Sequence, residues 1–273
     1  MSLDGPWKKL VLLVSLLFSQ VPIVQAQFKL ETYSMGTYWR IRADFINQSF
    51  SQEFLDKKII SILDQYDSTF SDWRKNSELE KLLPNMTKWQ NASPLFLQGL
   101  TLAQYFYNRS HQQFDISIGA VLKNLKKRPV GLDHLLIKGH KFRFIKHPGA
   151  LTFNGFVKGM AVGQIVKYLE KLNIKSYFID GGGGNIALKG DSWGAFHSYT
   201  LKNKSSIYFI SKSALYQGKR KHIIGANENE FATTLCESKK DPIFVGALSD
   251  TLSTLKIITK DIPKELSKNC LFI

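Results

Sequence analysis

Residues 151–187 read LTFNGFVKGMAVGQIVKYLEKLNIKSYFIDGGGGNIA and carry the most informative pattern of the chain. Their apolar start, Leu151–Phe153, predicts a short strand. Apolar residues then recur at helical spacing from Lys158 to Leu172, which predicts an amphipathic helix. Ser176–Asp180 is typical of a strand, and it runs directly into four glycines. The stretch therefore predicts strand, helix, strand and glycine turn in succession.

Further elements are predicted on both sides of this stretch. Thr37–Phe45 alternates apolar and polar residues, as a half-buried strand does. Ser93-Pro94 is a typical helix start, with proline in the first turn. The other predicted elements are a helix within residues 50–66, strands at 142–145 and 207–211, and a last helix at 250–258. Strands and helices do not alternate strictly, so we expect an α+β fold with mixed or antiparallel sheets and packed helices.

The N-terminus has the pattern of a secretory signal peptide. Lys8 and Lys9 precede an apolar run at residues 10–18, and Val24-Gln25-Ala26 supplies a small residue at the cleavage position. The apolar run is short for a membrane span. We therefore expect a signal peptide at residues 1–26, one folded domain at residues 27–273, and export to the periplasm or the outer face of the inner membrane.

The chain is strongly basic, with a formal net charge of +15. Such a charge favours anionic partners, which include phosphate-bearing molecules, acidic proteins and anionic membrane surfaces. The cations are not interleaved with aromatic residues in a nucleic-acid-binding motif, so no nucleic-acid partner is expected. Cys236 and Cys270 are the only cysteines. Export permits a disulfide between them, but the sequence leaves open whether they come close enough to form one.

Two sequence features favour an anion-binding site. The glycine run 181–184 lets the backbone approach a ligand and direct N–H groups at phosphate oxygens, although glycine runs also form plain tight turns. Lys158 stands at the start of a predicted helix, where the helix dipole attracts anions; the alternative is an ordinary surface lysine. A dinucleotide-binding Rossmann motif is excluded, because no helix follows the glycines.

Asp250 and Thr254 lie four residues apart on a predicted helix and therefore share one face. A carboxylate and a hydroxyl suit Mg²⁺, which takes its other ligands from water and phosphate. The alternative is that Ser249 or Asp250 caps the helix. His222 follows a basic run, and in an anion-binding cleft it would suit the role of a general base.

These features, in this order, resemble the ApbE family of FAD:protein FMN transferases. The resemblance extends over nearly the whole chain after residue 26. The segments that carry it are Met35-Gly36-Thr37, Ser68-Thr69-Phe70 with Asn76-Ser77-Glu78-Leu79, Phe114–Gly119, Gly155–Val162, the glycine run, Ser211-Lys212-Ser213, His222-Ile223-Ile224 and Ala247–Thr254.

The resemblance implies a T-fold-like flavin-binding architecture and a set of residue roles. Asp250, Thr254 and the carbonyl of Val157 would hold Mg²⁺, and His222 would both contact the cofactor and deprotonate the acceptor hydroxyl. The remaining implied FAD contacts are Met35, Asp115, Lys158, Gly181, Gly182, Gly183 and Ser213.

The implied reaction moves FMN from FAD to a hydroxyl side chain of another protein and releases AMP. The implied acceptor is a flavoprotein subunit of a membrane redox complex. Two alternatives stay open at this point. One is an FAD pyrophosphatase, in which water replaces the acceptor hydroxyl, and the other is a non-catalytic exported flavin-binding protein.

Overall fold

The computed structural model describes residues 26–45, 50–123, 125, 129–190, 205–214, 216–217, 220–221, 231–238 and 240–273. Ala26 is the only residue of the expected signal peptide within these ranges. His222 lies outside them. None of the described helices is long and apolar enough to cross a membrane.

The described residues form strands, α-helices and short 3₁₀ turns. The strands are β1 Ala26–Ser34, β2 Thr37–Phe45, β3 Gln90–Asn91, β4 Leu135–Lys138, β5 Lys141–Phe144, β6 Ser176–Gly181, β7 Asn185–Lys189, β8 Tyr208–Ala214, β9 Tyr216–Gln217, β10 Arg220–Lys221, β11 Phe231–Glu237 and β12 Cys270–Phe272. The helices are α1 Gln52–Phe70, α2 Glu78–Leu82, α3 Pro94–Arg109, α4 Gly119–Leu122, α5 Val157–Lys171, α6 Pro242–Ile258 and α7 Lys264–Ser267.

Within the described chain, seven strands form one sheet in the order β1-β2-β6-β7-β8-β11-β12. Every neighbouring pair in it is antiparallel. A smaller sheet has the order β3-β5-β4, and β9 pairs with β10. This is the expected α+β fold with antiparallel sheets. The alternation predicted for Thr37–Phe45 is confirmed in β2, where Trp39, Ile41 and Ala43 are fully buried.

The start of α3 is confirmed at the predicted Ser93-Pro94. Ser93 Oγ accepts a hydrogen bond from the backbone N–H of Phe96 at 3.1 Å, which caps the helix. The Glu78 carboxylate accepts hydrogen bonds from the Ser93 backbone N–H and hydroxyl, each at 2.6 Å. This pair ties α2 to α3.

Helices α5 and α6 pack unusually closely because glycines line their contact. A methyl group on Gly246 of α6 would overlap the carbonyl oxygen of Gly159 of α5, and the reverse substitution would clash with Gly246. Gly163, one turn further along α5, lies equally close to the backbone of Pro242. The two backbones are therefore in direct contact.

The structure corrects two sequence predictions. Leu151–Phe153 is not a strand: its apolar residues are buried in a connecting segment, where Thr152 donates a single backbone hydrogen bond to Ile116. The last helix begins at Pro242, not near Asp250, and Asp241 occupies its N-cap position. The capping alternative for Ser249 or Asp250 is therefore wrong, because both residues lie in the interior of α6.

The structure also shows whether the two cysteines are close enough to form a disulfide. Cys236 and Cys270 lie directly opposite each other on β11 and β12, and they form a disulfide. The bond joins the short C-terminal strand to the sheet. Sequence could not show this, because 33 intervening residues conceal the strand register that brings the two cysteines together.

Candidate functional site

A cavity with a volume of about 330 Å³ lies at one end of the seven-stranded sheet. It is enclosed by the start of α5, the second half of α6, the turn between β6 and β7, the end of β8 and the segment around Asp115. Its lining residues are Gln113, Phe114, Asp115, Ile116, Ile118, Leu122, Thr152, Asn154, Gly155, Lys158, Gly182, Gly184, Asn185, Lys212, Ser213, Ala214, Asp250, Thr254 and Ile258.

Asp250 is the buried carboxylate of this cavity, with only 4% of its surface exposed. Its Oδ2 accepts a hydrogen bond from the backbone N–H of Gly159 at 3.3 Å, and its side chain also bonds to the Asn185 amide. Burial raises the pKa of the Asp250 carboxyl to about 6. The positive charge of Lys158, then the Gly159 and Asn185 donors, oppose that rise.

Thr254 lies one helical turn after Asp250 and lines the same cavity. Its Oγ1 is 3.1 Å from Ser213 Oγ on β8, and Ser213 Oγ is 2.7 Å from Ser253 Oγ. Ser253 in turn donates to the Asp250 carbonyl oxygen at 2.9 Å. The hydroxyl of Thr254 is thus held against β8 by Ser213, in the same cavity that the Asp250 carboxylate lines.

Lys158 lies in the first turn of α5 and lines the cavity near Asp250. The residue before the helix, Phe156, supplies no side-chain cap. A helix start with a lysine attracts anions, because the lysine charge and the helix dipole have the same sign. This wall of the cavity is therefore electropositive.

The glycine run forms the turn between β6 and β7. Gly182 and Gly183 both have positive φ, at 77° and 71°, which favours glycine. Gly182 also lies so close to Thr37 that a side chain would overlap the threonine hydroxyl. Asp180 Oδ1 accepts a hydrogen bond from the Gly183 N–H at 2.5 Å, and its other oxygen pairs with Arg40. The hydrogen bond to Asp180 and the close contact with Thr37 hold the glycine turn in one conformation.

The segment around Asp115 contributes a more apolar part of the cavity wall. Asp115 stands before the turn Ile116–Ile118 and accepts hydrogen bonds from the Ser117 N–H and hydroxyl, at 2.8 and 2.9 Å. Burial raises the pKa of its carboxyl. Leu122 and Phe114 complete this side of the cavity. A cavity with both apolar and cationic lining suits a ligand that has a flat ring at one end and phosphates at the other.

The structure brings six of the predicted site residues to this cavity: Asp115, Lys158, Gly182, Ser213, Asp250 and Thr254. The predicted residues that do not line it are Met35, Val157, Gly181 and Gly183. Met35 forms the β1–β2 turn with φ 52° and packs against the core, and Val157 is buried beside Lys158. Gly181 ends β6 against Trp39, and Gly183 is at the apex of the turn.

Sequence reasoning missed Asn185, which lines the cavity and bonds to Asp250. Its signal was its position directly after the glycine run. Lys212 and Ser253 were not assigned a role either, although both lie in segments that carry the resemblance, Ser211-Lys212-Ser213 and Ala247–Thr254. Their contribution depends on β8 and α6 packing together, which the pattern of either segment alone does not reveal.

A family model described as the ApbE family matches residues 35–196, more than half of the chain. The chain belongs to the ApbE family. The match spans the Met35 turn, the start of α5 and the glycine turn, so three of the elements described above come from the family's common pattern. Comparison with curated proteins gives no match.

Solved structures of ApbE proteins share the fold. The flavin transferase ApbE from Vibrio cholerae aligns with a TM-score of 0.73 at 19% identity, covering 91% of this chain and 94% of the other. The apo flavinyl transferase ApbE from Pseudomonas stutzeri aligns at 0.69 and 16% identity, with 91% and 92% covered. The ApbE protein from Thermotoga maritima aligns at 0.68 and 16%, with 90% and 93% covered.

The ApbE fold of this chain thus places a buried carboxylate, a hydroxyl and a lysine in one cavity. Among the described residues, no group of three or more His, Cys, Asp and Glu side chains could hold a metal ion by itself. A cation at Asp250 and Thr254 therefore needs ligands from elsewhere, such as water, a backbone carbonyl or a bound phosphate.

Proposed function

We propose that this chain is a Mg²⁺-dependent FAD:protein FMN transferase. It attaches FMN to a threonine or serine hydroxyl of an exported or membrane flavoprotein subunit and releases AMP. The observation that carries the proposal is that Lys158, the buried Asp250 carboxylate and the Thr254 hydroxyl line one cavity. The names of the similar structures from V. cholerae and P. stutzeri support a flavin transferase.

The donor set of the cavity fits Mg²⁺. Asp250 is a nearly fully buried carboxylate, and within the described part of the chain its charge is offset by Lys158 and two hydrogen-bond donors. A buried anion is costly without further compensation. Carboxylate and hydroxyl oxygens are the hard ligands that Mg²⁺ prefers, with phosphate and water completing the shell. Asp250 and Thr254 would hold the ion, and the Val157 carbonyl is the predicted third protein ligand.

In the proposed reaction, the acceptor hydroxyl attacks the flavin-side phosphorus of FAD. A P–O bond to the acceptor oxygen forms, the P–O bond to AMP breaks, and AMP leaves with the bonding electrons. Bound Mg²⁺ would supply positive charge against the charge of the breaking pyrophosphate. Lys158 and the start of α5 add to that stabilisation, and the glycine turn orients the substrate.

His222 is proposed to take the proton of the acceptor hydroxyl. The proposal rests on the sequence resemblance, since His222 is outside the described residues. A general base typically contributes about 10²–10⁴-fold to the rate. The His222→Ala variant is therefore expected to keep FAD binding and lose most transfer, with part of the rate restored at higher pH.

The proposal includes export. The expected signal peptide at residues 1–26 would direct the chain to the periplasm or the outer face of the inner membrane, where it would meet the acceptor subunit. The basic surface would favour anionic membranes as a peripheral contact. N-terminal sequencing of the exported protein should give Gln27 as the first residue, and a start at Met1 would contradict export.

The deciding experiment incubates the purified chain with FAD and Mg²⁺, with and without a threonine-containing acceptor peptide. Transfer predicts AMP release that depends on the peptide, together with a flavin-labelled peptide in the mass spectrum. AMP and free FMN without peptide would indicate a pyrophosphatase. FAD binding without AMP in either arm would indicate a flavin carrier. Asp250→Ala should abolish AMP release.

The role of Lys158 is tested by charge reversal with a matched control on the same helix. Lys158→Glu should weaken FAD binding strongly, because the new charge faces the phosphates. Lys171→Glu, at the exposed far end of α5, should change FAD affinity little. Flavin fluorescence titration measures both, and FMN serves as the ligand that lacks the pyrophosphate. Equal effects of the two reversals would remove Lys158 from the phosphate site.

A further inference from the structure

Strand β8 presents two serines to the cavity side of the sheet. Ser211 and Ser213 are two residues apart, so their side chains lie on the same face of the strand. Ser213 contacts Thr254 directly, at 3.1 Å between the hydroxyl oxygens. Ser211 is 2% exposed, and its hydroxyl donates to Asn185 Oδ1 at 3.0 Å.

The bond from Ser211 fixes the direction of the Asn185 amide. An asparagine side chain carries one acceptor oxygen and one donor nitrogen on opposite arms. Because Oδ1 is engaged by the Ser211 hydroxyl, the NH₂ group is left to donate, and its partner is the Asp250 carboxylate. Asn185 is 3% exposed, so its side chain is held mainly by protein contacts.

The two oxygen-bearing residues proposed to hold Mg²⁺ are therefore both positioned from β8. Thr254 is held by Ser213 directly, and Asp250 is held by Ser211 through Asn185. The carboxylate also accepts a hydrogen bond from α5, through the Gly159 N–H at 3.3 Å. Asp250 itself lines the cavity.

We infer that Ser211 is a positioning residue for a divalent cation: acting through Asn185, it fixes the orientation of the Asp250 carboxylate. The inference rests on the proposed function, in which Asp250 binds the cation. Without the Ser211 hydroxyl, the amide is free to turn over and present its oxygen to the carboxylate, which repels it. Partners of metal ligands typically change metal affinity about 10–100-fold when they are removed.

The test compares two buried hydroxyls that face α6 from neighbouring strands. Ser211→Ala removes the hydroxyl that reaches Asn185. Thr234→Val removes a fully buried hydroxyl on β11 that donates to the Ser249 carbonyl of α6 at 2.8 Å. Both changes delete a buried hydroxyl that bonds next to the same helix: Ser211 loses one contact, and Thr234 loses two, since its Oγ1 also lies 3.2 Å from Ser249 Oγ. Among the described contacts, only that of Ser211 leads through Asn185 to the Asp250 carboxylate.

The measurement is Mn²⁺ binding to the purified chain in the presence of AMP, followed by electron paramagnetic resonance of the free ion. Ser211→Ala is expected to weaken Mn²⁺ binding about 10–100-fold, and Thr234→Val to leave it within about threefold of wild type. Asn185→Leu should weaken it at least as much as Ser211→Ala. Ser211→Thr, which keeps a hydroxyl, should restore most of the affinity. Thermal unfolding of each variant reports any loss of stability separately.

The outcomes separate this inference from the proposed function. If wild type binds Mn²⁺ through Asp250, as the loss in Asp250→Ala would show, and Ser211→Ala binds equally well, Ser211 only stabilises the fold. The same conclusion follows if Thr234→Val weakens binding as much as Ser211→Ala. If wild type and Asp250→Ala bind Mn²⁺ equally, the proposed metal site itself is wrong.

Discussion

The backbone N–H of Gly159 donates a hydrogen bond to Asp250 Oδ2 across the interface between α5 and α6, at 3.3 Å. The bond exists because Gly246, one turn before Asp250, has no side chain to separate the two helices. The same close contact brings Lys158, the neighbour of Gly159, to the cavity wall beside the carboxylate. The close packing of α5 against α6 therefore also positions Asp250 and Lys158 in the cavity.

Gly246→Ala should disturb both the packing and the site. The added methyl group would overlap the Gly159 carbonyl oxygen, and this backbone atom cannot rotate away. Overpacking typically costs about 1–3 kcal/mol of unfolding free energy. Urea unfolding measures that loss, and Mn²⁺ binding should weaken in the same variant. Lys171→Ala, on the exposed end of α5, should change stability by less than about 0.5 kcal/mol. An unaffected Gly246→Ala variant would contradict the observed helix contact.

The buried Asp250 should make the metal-free protein sensitive to pH. Burial raises the pKa of this carboxyl from 3.8 to about 6, so the folded state binds the proton more tightly than the unfolded state. Stability should therefore fall as the pH rises from about 4 to about 6 and stay lower above it. A shift of about two units corresponds to about 3 kcal/mol.

Asp250→Asn removes this titration and is the control for it. In the presence of a chelator, the free energy of unfolding of the variant should lack the fall between about pH 4 and about pH 6 that Asp250 causes in wild type. The variant should also be more stable than wild type at pH 7. Asp72 and Asp115, whose carboxyl pKa values burial also raises, are present in both proteins and cancel in the comparison. Urea unfolding between pH 4.5 and 7 measures the difference. Parallel curves for the two proteins would show that Asp250 does not titrate in this range.

Local patterns predicted much of the fold. The alternation in Thr37–Phe45 identified the buried face of β2, and Ser93-Pro94 identified the start of α3, because each depends on neighbouring residues only. The final helix shows the limit of such patterns. Ser249 and Asp250 are typical capping residues, so the sequence favoured a helix start there. The fold instead buries both within α6, where tertiary contacts satisfy their polar groups.

Sequence identified those site residues whose role follows from the pattern of their own segment. Lys158 and Gly182 lie in recognisable segments, and both line the cavity. Asn185 and Ser211 were not assigned a role, because their importance arises from contacts between β7, β8 and α6 that are distant in sequence. The Cys236–Cys270 disulfide escaped prediction for the same reason, since it depends on the register of β11 and β12.

Asp180 should control the rigidity of the glycine turn. Its Oδ1 accepts from the Gly183 N–H at 2.5 Å, so Asp180→Ala leaves that group without its acceptor. Losing a bond worth about 1.4 kcal/mol corresponds to about tenfold faster amide exchange at Gly183. Asp44→Ala is the matched control, because Asp44 is a buried carboxylate on the neighbouring strand β2 that bonds to Gln27 and Ser176 instead. Hydrogen exchange followed by NMR measures the exchange rate of the Gly183 amide in the two variants. Equal rates would contradict the role of Asp180.

The disulfide should contribute strongly to stability, because it closes a long loop. Cys236 and Cys270 are 34 residues apart, and the chain-entropy model gives about 3–4 kcal/mol for a loop of that length. Since β11 also holds α6 through the bond from Thr234 to Ser249, reduction should loosen the helix that carries Asp250. Urea unfolding with and without a thiol reductant measures the effect. The Cys236→Ser/Cys270→Ser double variant should match reduced wild type and should not respond to the reductant. Unchanged stability on verified reduction would show that β12 stays in place without the bond.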